Sequence, residues 1–379
     1  MEVYMDNSAT TRPYKEVIDE MVYVMENYYG NPSSAYSIGI KAEKKCNDAR
    51  NIIAKSINAS KEEIIFTSGG SESNNFLIKG FVKGEGHIIT TKIEHPSVMN
   101  TCMQLEREGI RVTYLDVDAR GKVDVQALEN IINKDTQIVS IMHVNNEIGV
   151  IQDIEKIGKI IKEKSSRIKF HVDAVQSYGK LNIDVHKCNI DLLSASGHKI
   201  HGPRGIGFAY VRKGLVPKAL IEGGGQEKNY RSGTENLPAI CGMAKASEKI
   251  YKNIKDNYKN VEAVKKYFID KLVNIKDIRV NSEIADDYLP HILNVSFKGV
   301  RAEVLLHYLE EYKIYVSNGS ACSAKRHKMS HVLKSIGLSN TEIEGAIRFS
   351  FNEYNSFDEV DYTIEKLNNG LQMLRRLKI

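Results

Sequence analysis

The chain has 379 residues, 42% of them hydrophobic, enough to bury a large core as two domains or as one domain with an appendage. Its 53 basic residues nearly balance 48 acidic ones, so the net charge of +5 is not the footprint of a nucleic-acid binder, and no apolar run approaches the roughly 20 residues of a spanning helix. The five cysteines are scattered and never spaced C-x-x-C, which argues against a disulfide framework or structural zinc, and the amino terminus lacks a basic-then-apolar leader, so a cytoplasmic protein is expected.

In chain order, apolar runs at 64–66, 87–90, 111–115, 137–142, 168–172, 191–193 and 206–211 alternate with helix-length segments. Strands separated in this way predict a mainly parallel seven-stranded sheet covered on both faces, an α/β domain. Residues 245–273 then read as one long charged helix, followed by apolar runs at 292–297 and 314–316 with helical stretches between and after. The expected division is a large cofactor-binding domain over 12–250 and a smaller α/β domain made of 1–11 and 251–379.

Ligands of such sheets bind beyond the carboxyl ends of the strands, and five polar segments fall there: 67–75, 94–95, 143–147, 173–176 and 194–199. Lys199 lies in Ser194-Ala-Ser-Gly-His-Lys199, and Asp173 ends the run His171-Val-Asp173, twenty-six positions earlier. Either alone has an ordinary reading, a solvated lysine or a turn-forming aspartate. Together they suit pyridoxal phosphate: the lysine forms a Schiff base with the cofactor aldehyde, and the aspartate keeps the pyridine nitrogen protonated.

Ser68-Gly-Gly-Ser-Glu-Ser73 follows a strand and opens a helix, so its backbone amides suit a phosphate, although alone it reads as well as a helix cap. His95, just before Pro96, could stack on an aromatic cofactor and carry protons, or merely cap a helix. Asn146 and Gln176 could reach the cofactor's phenolic oxygen, with Asn145 the structural member of its pair. Cys322 sits among small residues and is followed by Lys325-Arg-His-Lys328, so its thiol should ionise more readily than a free one. The other four cysteines read as buried fillers.

Assembled, these landmarks resemble the cysteine desulfurases of the NifS and IscS type, within the class V aminotransferases, over essentially the whole chain. Further matches are Asp6-Asn-Ser-Ala-Thr-Thr11, Gly30-Asn-Pro-Ser-Ser34, Arg231-Ser-Gly-Thr-Glu-Asn236, Gly319-Ser-Ala-Cys322 and Ile347-Arg-Phe-Ser350. The resemblance implies a fold-type I homodimer. Lys199 would be the Schiff-base lysine, Asp173 would sit at the pyridine nitrogen and His95 on the ring. Gly70, Ser71, Ser196 and His198 would hold the phosphate, with Thr234 reaching in from the other subunit. Asn146 and Gln176 would take the ring-oxygen side, and Arg348 the substrate carboxylate.

It further implies that L-cysteine is converted to alanine, that Cys322 receives the sulfur as a persulfide from a mobile loop of the IscS-like length, and that an acceptor protein takes it for iron-sulfur assembly or tRNA thiolation. Ser71 stands where threonine is common, and Tyr36 where a histidine often follows; neither removes an assigned group. Selenocysteine cleavage, transamination and a non-catalytic sulfur-transfer scaffold are the alternative readings.

Overall fold

The computed structural model describes residues 1–318 and 329–377. Its strands are β1 (Val3–Tyr4), β2 (Ile64–Thr67), β3 (His87–Thr91), β4 (Arg111–Leu115), β5 (Thr136–Met142), β6 (Lys169–Asp173), β7 (Leu192–Ser196), β8 (Gly207–Val211), β9 (Ile278–Val280), β10 (Ile292–Phe297), β11 (Ile314–Tyr315) and β12 (Ala346–Ser350). The seven expected runs form one sheet in the order β2-β8-β7-β6-β5-β3-β4. Every neighbouring pair is parallel except those made by β8, which runs antiparallel to β7 and to β2. The connection from β7 to β8 is too short for the crossover of a dozen or more residues that parallel pairing needs, so the chain reverses there.

β3, β7 and β8 are buried at every residue, as expected of strands covered on both faces, whereas β4 at the sheet edge is mostly accessible. Helices Lys15–Asn27, Ser37–Lys55 and Leu237–Lys252 bury Val17, Val24, Ala49, Ile53 and Ile240 against Phe170, Phe208 and Tyr210 in the main core. Helix Gly70–Phe81 packs on β7 and β8.

A second core lies behind the antiparallel sheet β12-β10-β9. Phe268, from helix Ile254–Leu272, meets Phe349 with ring centroids 4.8 Å apart. β1 pairs in parallel with β11, which carries Val3 and Met5 into this same core. The single helix expected over 245–273 is in fact two, Leu237–Lys252 and Ile254–Leu272, separated by Asn253 (φ −115°, ψ 11°). The first faces the main core and the second faces the other, so burial overrides an amphipathic pattern that runs through the break. No helix among the described residues is long and apolar enough to cross a membrane.

Candidate active site

Because β3, β5, β6 and β7 are parallel, the segments that follow them emerge on one edge of the sheet. They line a cavity of about 680 Å³, completed by the start of helix Gly70–Phe81, by Ser8 and Ala9, and by Arg348 of β12. Of the sequence-predicted residues, Gly70, Ser71, His95, Asn146, Asp173, Gln176, Ser196, His198, Lys199 and Arg348 all face this cavity. Thr234 does not; it is exposed beside Arg231 and Asn236, away from the cavity of its own chain. Cys322 lies outside the described residues.

Lys199 closes a short 3-10 turn, Gly197–Lys199, directly after β7. Its Nζ donates to the carbonyls of Ser8, at 2.5 Å, and Ala9, at 2.8 Å, so the amino-terminal segment fixes where the amine sits. Neighbouring His198 has its pKa lowered to about 4, by burial first and then by the charges of Lys199, Arg204 and Lys180.

Asp173, 4% exposed, ends β6. Its Oδ2 accepts from Asn74 Nδ2 at 2.8 Å and its Oδ1 from the Val175 amide at 3.0 Å. Asn74 also donates from Nδ2 to Ser97 Oγ at 2.8 Å and accepts from Ser194 Oγ at 2.5 Å. His95 Nδ1 accepts from the Ser97 amide at 3.1 Å and so carries no proton, which leaves the Ser97 hydroxyl, 2.8 Å away, as the donor of that contact.

His95 is thus the N-cap of helix Pro96–Arg107, with Pro96 at its first position. Nδ1 must be unprotonated to accept, so the neutral ring carries its proton on Nε2. Burial lowers the His95 pKa, opposed by Asp173 and assisted by Lys199 and His331.

Arg348 is 2% exposed. Its Nη2 donates to Asp6 Oδ1 at 2.8 Å and its Nη1 to the Asn146 carbonyl at 2.9 Å, while buried Nε has no partner among the described residues. Arg348 lines the cavity, and its fixed guanidinium suits an incoming carboxylate. Asn145 donates to the Ile93 carbonyl and accepts from the amides of Glu147 and Ile148, the structural part expected of it. The Asn146 side chain makes no hydrogen bond among the described residues and remains available to a ligand.

Sequence reasoning missed several neighbours. Asn74 lies in the polar segment 67–75, yet its importance depends on Asp173, 99 residues away. Glu94, next to His95, is fully buried, and burial raises its pKa to about 8. Glu147 is raised too, chiefly by burial, and accepts from Ser330 Oγ at 2.5 Å. Lys180 is buried behind Gln176, and nothing in its sequence context distinguishes it from a surface lysine. The four described cysteines, Cys46, Cys102, Cys188 and Cys241, are buried with free thiols.

The chain matches the family described as Aminotransferase class-V over residues 3–363. It is 42% identical over 382 residues to a cysteine desulfurase IscS of Clostridium botulinum, covering 99% of this chain and 96% of that one. It is 43% identical over 380 residues to a cysteine desulfurase IscS of Methanosarcina thermophila, covering 99% and 93% respectively. Among solved structures, a NifS-like protein superposes with a TM-score of 0.93 at 40% identity, covering 98% of this chain and all of that one. The apo structure of a cysteine desulfurase from Thermococcus onnurineus NA1 gives 0.87 at 26% identity, covering 98% and 95%. A fold, a site architecture and full-length relatives thus agree: the chain belongs to the class V aminotransferase family and, within it, to the cysteine desulfurases.

Proposed function

We propose that the protein works as a pyridoxal phosphate enzyme, with Lys199 the cofactor lysine, and that it moves sulfur from L-cysteine to Cys322 and on to an acceptor protein, leaving alanine. The observation that carries this reading is the meeting of Lys199, Asp173 and His95 on one 680 Å³ cavity that also holds Arg348. The residues fit the cofactor. A buried carboxylate with two donors is matched to a protonated ring nitrogen, and the opening turn of helix Gly70–Phe81, with Ser71, Ser196 and His198 beside it, is matched to a phosphate. Gly69, at φ +153°, gives that turn a backbone few side chains would tolerate.

Bound there, pyridoxal phosphate supplies an aldehyde that condenses with amines and a ring that withdraws electron density from the carbon attached to them. The chain does the rest. Arg348 orients the substrate through its carboxylate, Lys199 Nζ exchanges the α proton, and Asp173 faces the ring nitrogen. His95 moves protons at Nε2, because Nδ1 is committed to Ser97. The Cys322 thiolate attacks the substrate sulfur: the S–S bond forms as the C–S bond breaks, and the carbon side retains the electron pair and ends as alanine.

Further parts of the reading are a homodimer in which Thr234 completes the partner's phosphate site, supported by its exposed position outside its own cavity, and a cytoplasmic location, supported by four buried free thiols. Large and small domains over 12–250 and over 1–11 with 251–379 would carry the cofactor and the cysteine segment respectively. Iron-sulfur assembly and tRNA thiolation are the two destinations proposed for the sulfur. The test is to load the protein with pyridoxal phosphate, reduce it with borohydride and map the modified peptide by mass spectrometry. Modification of Lys199 supports the reading; modification elsewhere, or none, overturns it.

A further inference from the structure

Lys180 is 6% exposed, and its Nζ donates to Gln176 Oε1 at 3.2 Å. On the other side of the same carboxamide, Gln176 Nε2 donates to the Ser8 carbonyl at 3.0 Å. These two contacts determine the orientation of the amide. A carbonyl only accepts, so Nε2 must face Ser8, and a lysine donates, so Oε1 must face Lys180. The Ser8 carbonyl is the same one that receives Lys199 Nζ, so Gln176 presents its NH₂ where the proposed cofactor lysine sits.

The backbone under Lys180 is firmly held. Tyr178 OH lies 2.8 Å from both Ser56 Oγ and Ser247 Oγ, and the Gly179 amide donates to Tyr251 OH at 3.2 Å. Gly179 has φ +76°, and a Cβ there would lie 2.7 Å from Ile200 Cγ2. The chain turns at Gly179 because only glycine fits, and the Lys180 Cα is placed by that turn.

We propose that Lys180 is a positioning residue: it locks the Gln176 carboxamide so that its NH₂, and not its oxygen, faces the cofactor oxygen. This rests on the pyridoxal phosphate reading above. The surroundings suit the role. Lys180 has Lys199 and Arg348 as like charges, Glu353 as its acidic neighbour and His291 facing it, and burial brings its pKa down to about 7. As ammonium or as amine it donates a hydrogen, so the lock holds through neutral pH. Were the amide free to flip, an oxygen lone pair would face the electron-rich phenolic oxygen for part of the time.

The test compares Lys180→Met, Gln176→Leu and the double variant with wild type. Two quantities are read: pyridoxal phosphate affinity by equilibrium dialysis, and the pH midpoint of the visible absorption of the loaded protein. Lys180→Met should weaken cofactor binding about three- to tenfold, as expected for one hydrogen bond, and move the midpoint upward. In the Gln176→Leu background the same substitution should change neither quantity. Should Lys180→Met fail to fold, Lys180→Leu, which also has no donor, serves in the same cycle, with the same silence expected in the Gln176→Leu background.

A Lys180 variant indistinguishable from wild type, or one whose effect adds in full to that of Gln176→Leu, overturns the proposal while leaving the cofactor reading intact. Wild-type protein that takes up no pyridoxal phosphate overturns the cofactor reading, and the proposal with it.

Discussion

Asn74 joins Asp173 to His95: one amide nitrogen donates at 2.8 Å to the Asp173 carboxylate and at 2.8 Å to the Ser97 hydroxyl, which in turn holds the imidazole. Replacing Asn74 by Leu removes a donor from a buried carboxylate and leaves Ser194 and Ser97 with unmet hydrogen bonds. The expected loss of stability is about 1–3 kcal/mol. Urea denaturation measures it, and an unchanged midpoint and slope would count against the network.

The fully buried His143 and His171 have pKa values lowered to about 4 and about 3, and His291 lies well below the ordinary value, in each case chiefly through burial. The unfolded chain, with histidines near 6.5, binds more protons than the folded one as pH falls. Their stabilisation is complete above pH 6.5 and is lost toward the folded values. Glu94, raised to about 8, acts oppositely, stabilising most below 4.5 and losing its effect as pH rises through 8. With His95 and His198 also lowered and Glu147 also raised, these five lowered histidines still outweigh the two raised glutamates, so stability should fall between pH 6.5 and 4.5 by about 1.4 kcal/mol per pH unit for each net proton. Denaturant titrations at three pH values in that window would expose a flat or opposite trend.

Arg50, partly buried, and Glu227, buried, form a bidentate pair at 2.7 and 2.6 Å, and Glu227 Oε2 also accepts from the Phe66 amide at 2.9 Å. The pair anchors a left-handed turn in which Glu227, Lys228 and Asn229 have φ of 45°, 60° and 67°. Arg50→Met leaves a buried carboxylate unpaired and should cost about 3–5 kcal/mol. Thermal or urea unfolding of that variant tests the figure.

Arg348→Lys keeps the charge but removes the planar fork that meets both Asp6 and the Asn146 carbonyl. The expected outcome is a roughly ten- to hundredfold rise in KM for L-cysteine, in line with a lost hydrogen bond to a charged group, with a smaller change in kcat. Steady-state alanine production separates the two constants. An effect confined to kcat would show that Arg348 does not hold the substrate.

Much of this architecture was legible in the chain. Strand runs rich in Ile and Val, such as 137–142, sit where β5 forms, and the polar clusters that follow such runs carry twelve of the cavity's residues. What escaped reading depends on distance or on small local choices. Asn253 divides two helices without a proline or glycine to announce it, and the reversal of β8 follows from a short connection whose length matters only once its neighbours are placed. Asn74 and Lys180 are ordinary residues until folding brings them to Asp173 and Gln176.

A single turnover follows the passage of sulfur from cysteine to Cys322 at a site organised by Lys199. The loaded wild type, Lys199→Ala and Cys322→Ser would each be mixed with L-cysteine without reductant, followed by alanine quantification and intact mass. The expected outcome is about one alanine per wild-type protomer, a mass gain of one sulfur atom located on Cys322, and neither product from the two variants. Alanine formed at the wild-type level by Cys322→Ser, or sulfur found on another cysteine, would contradict it.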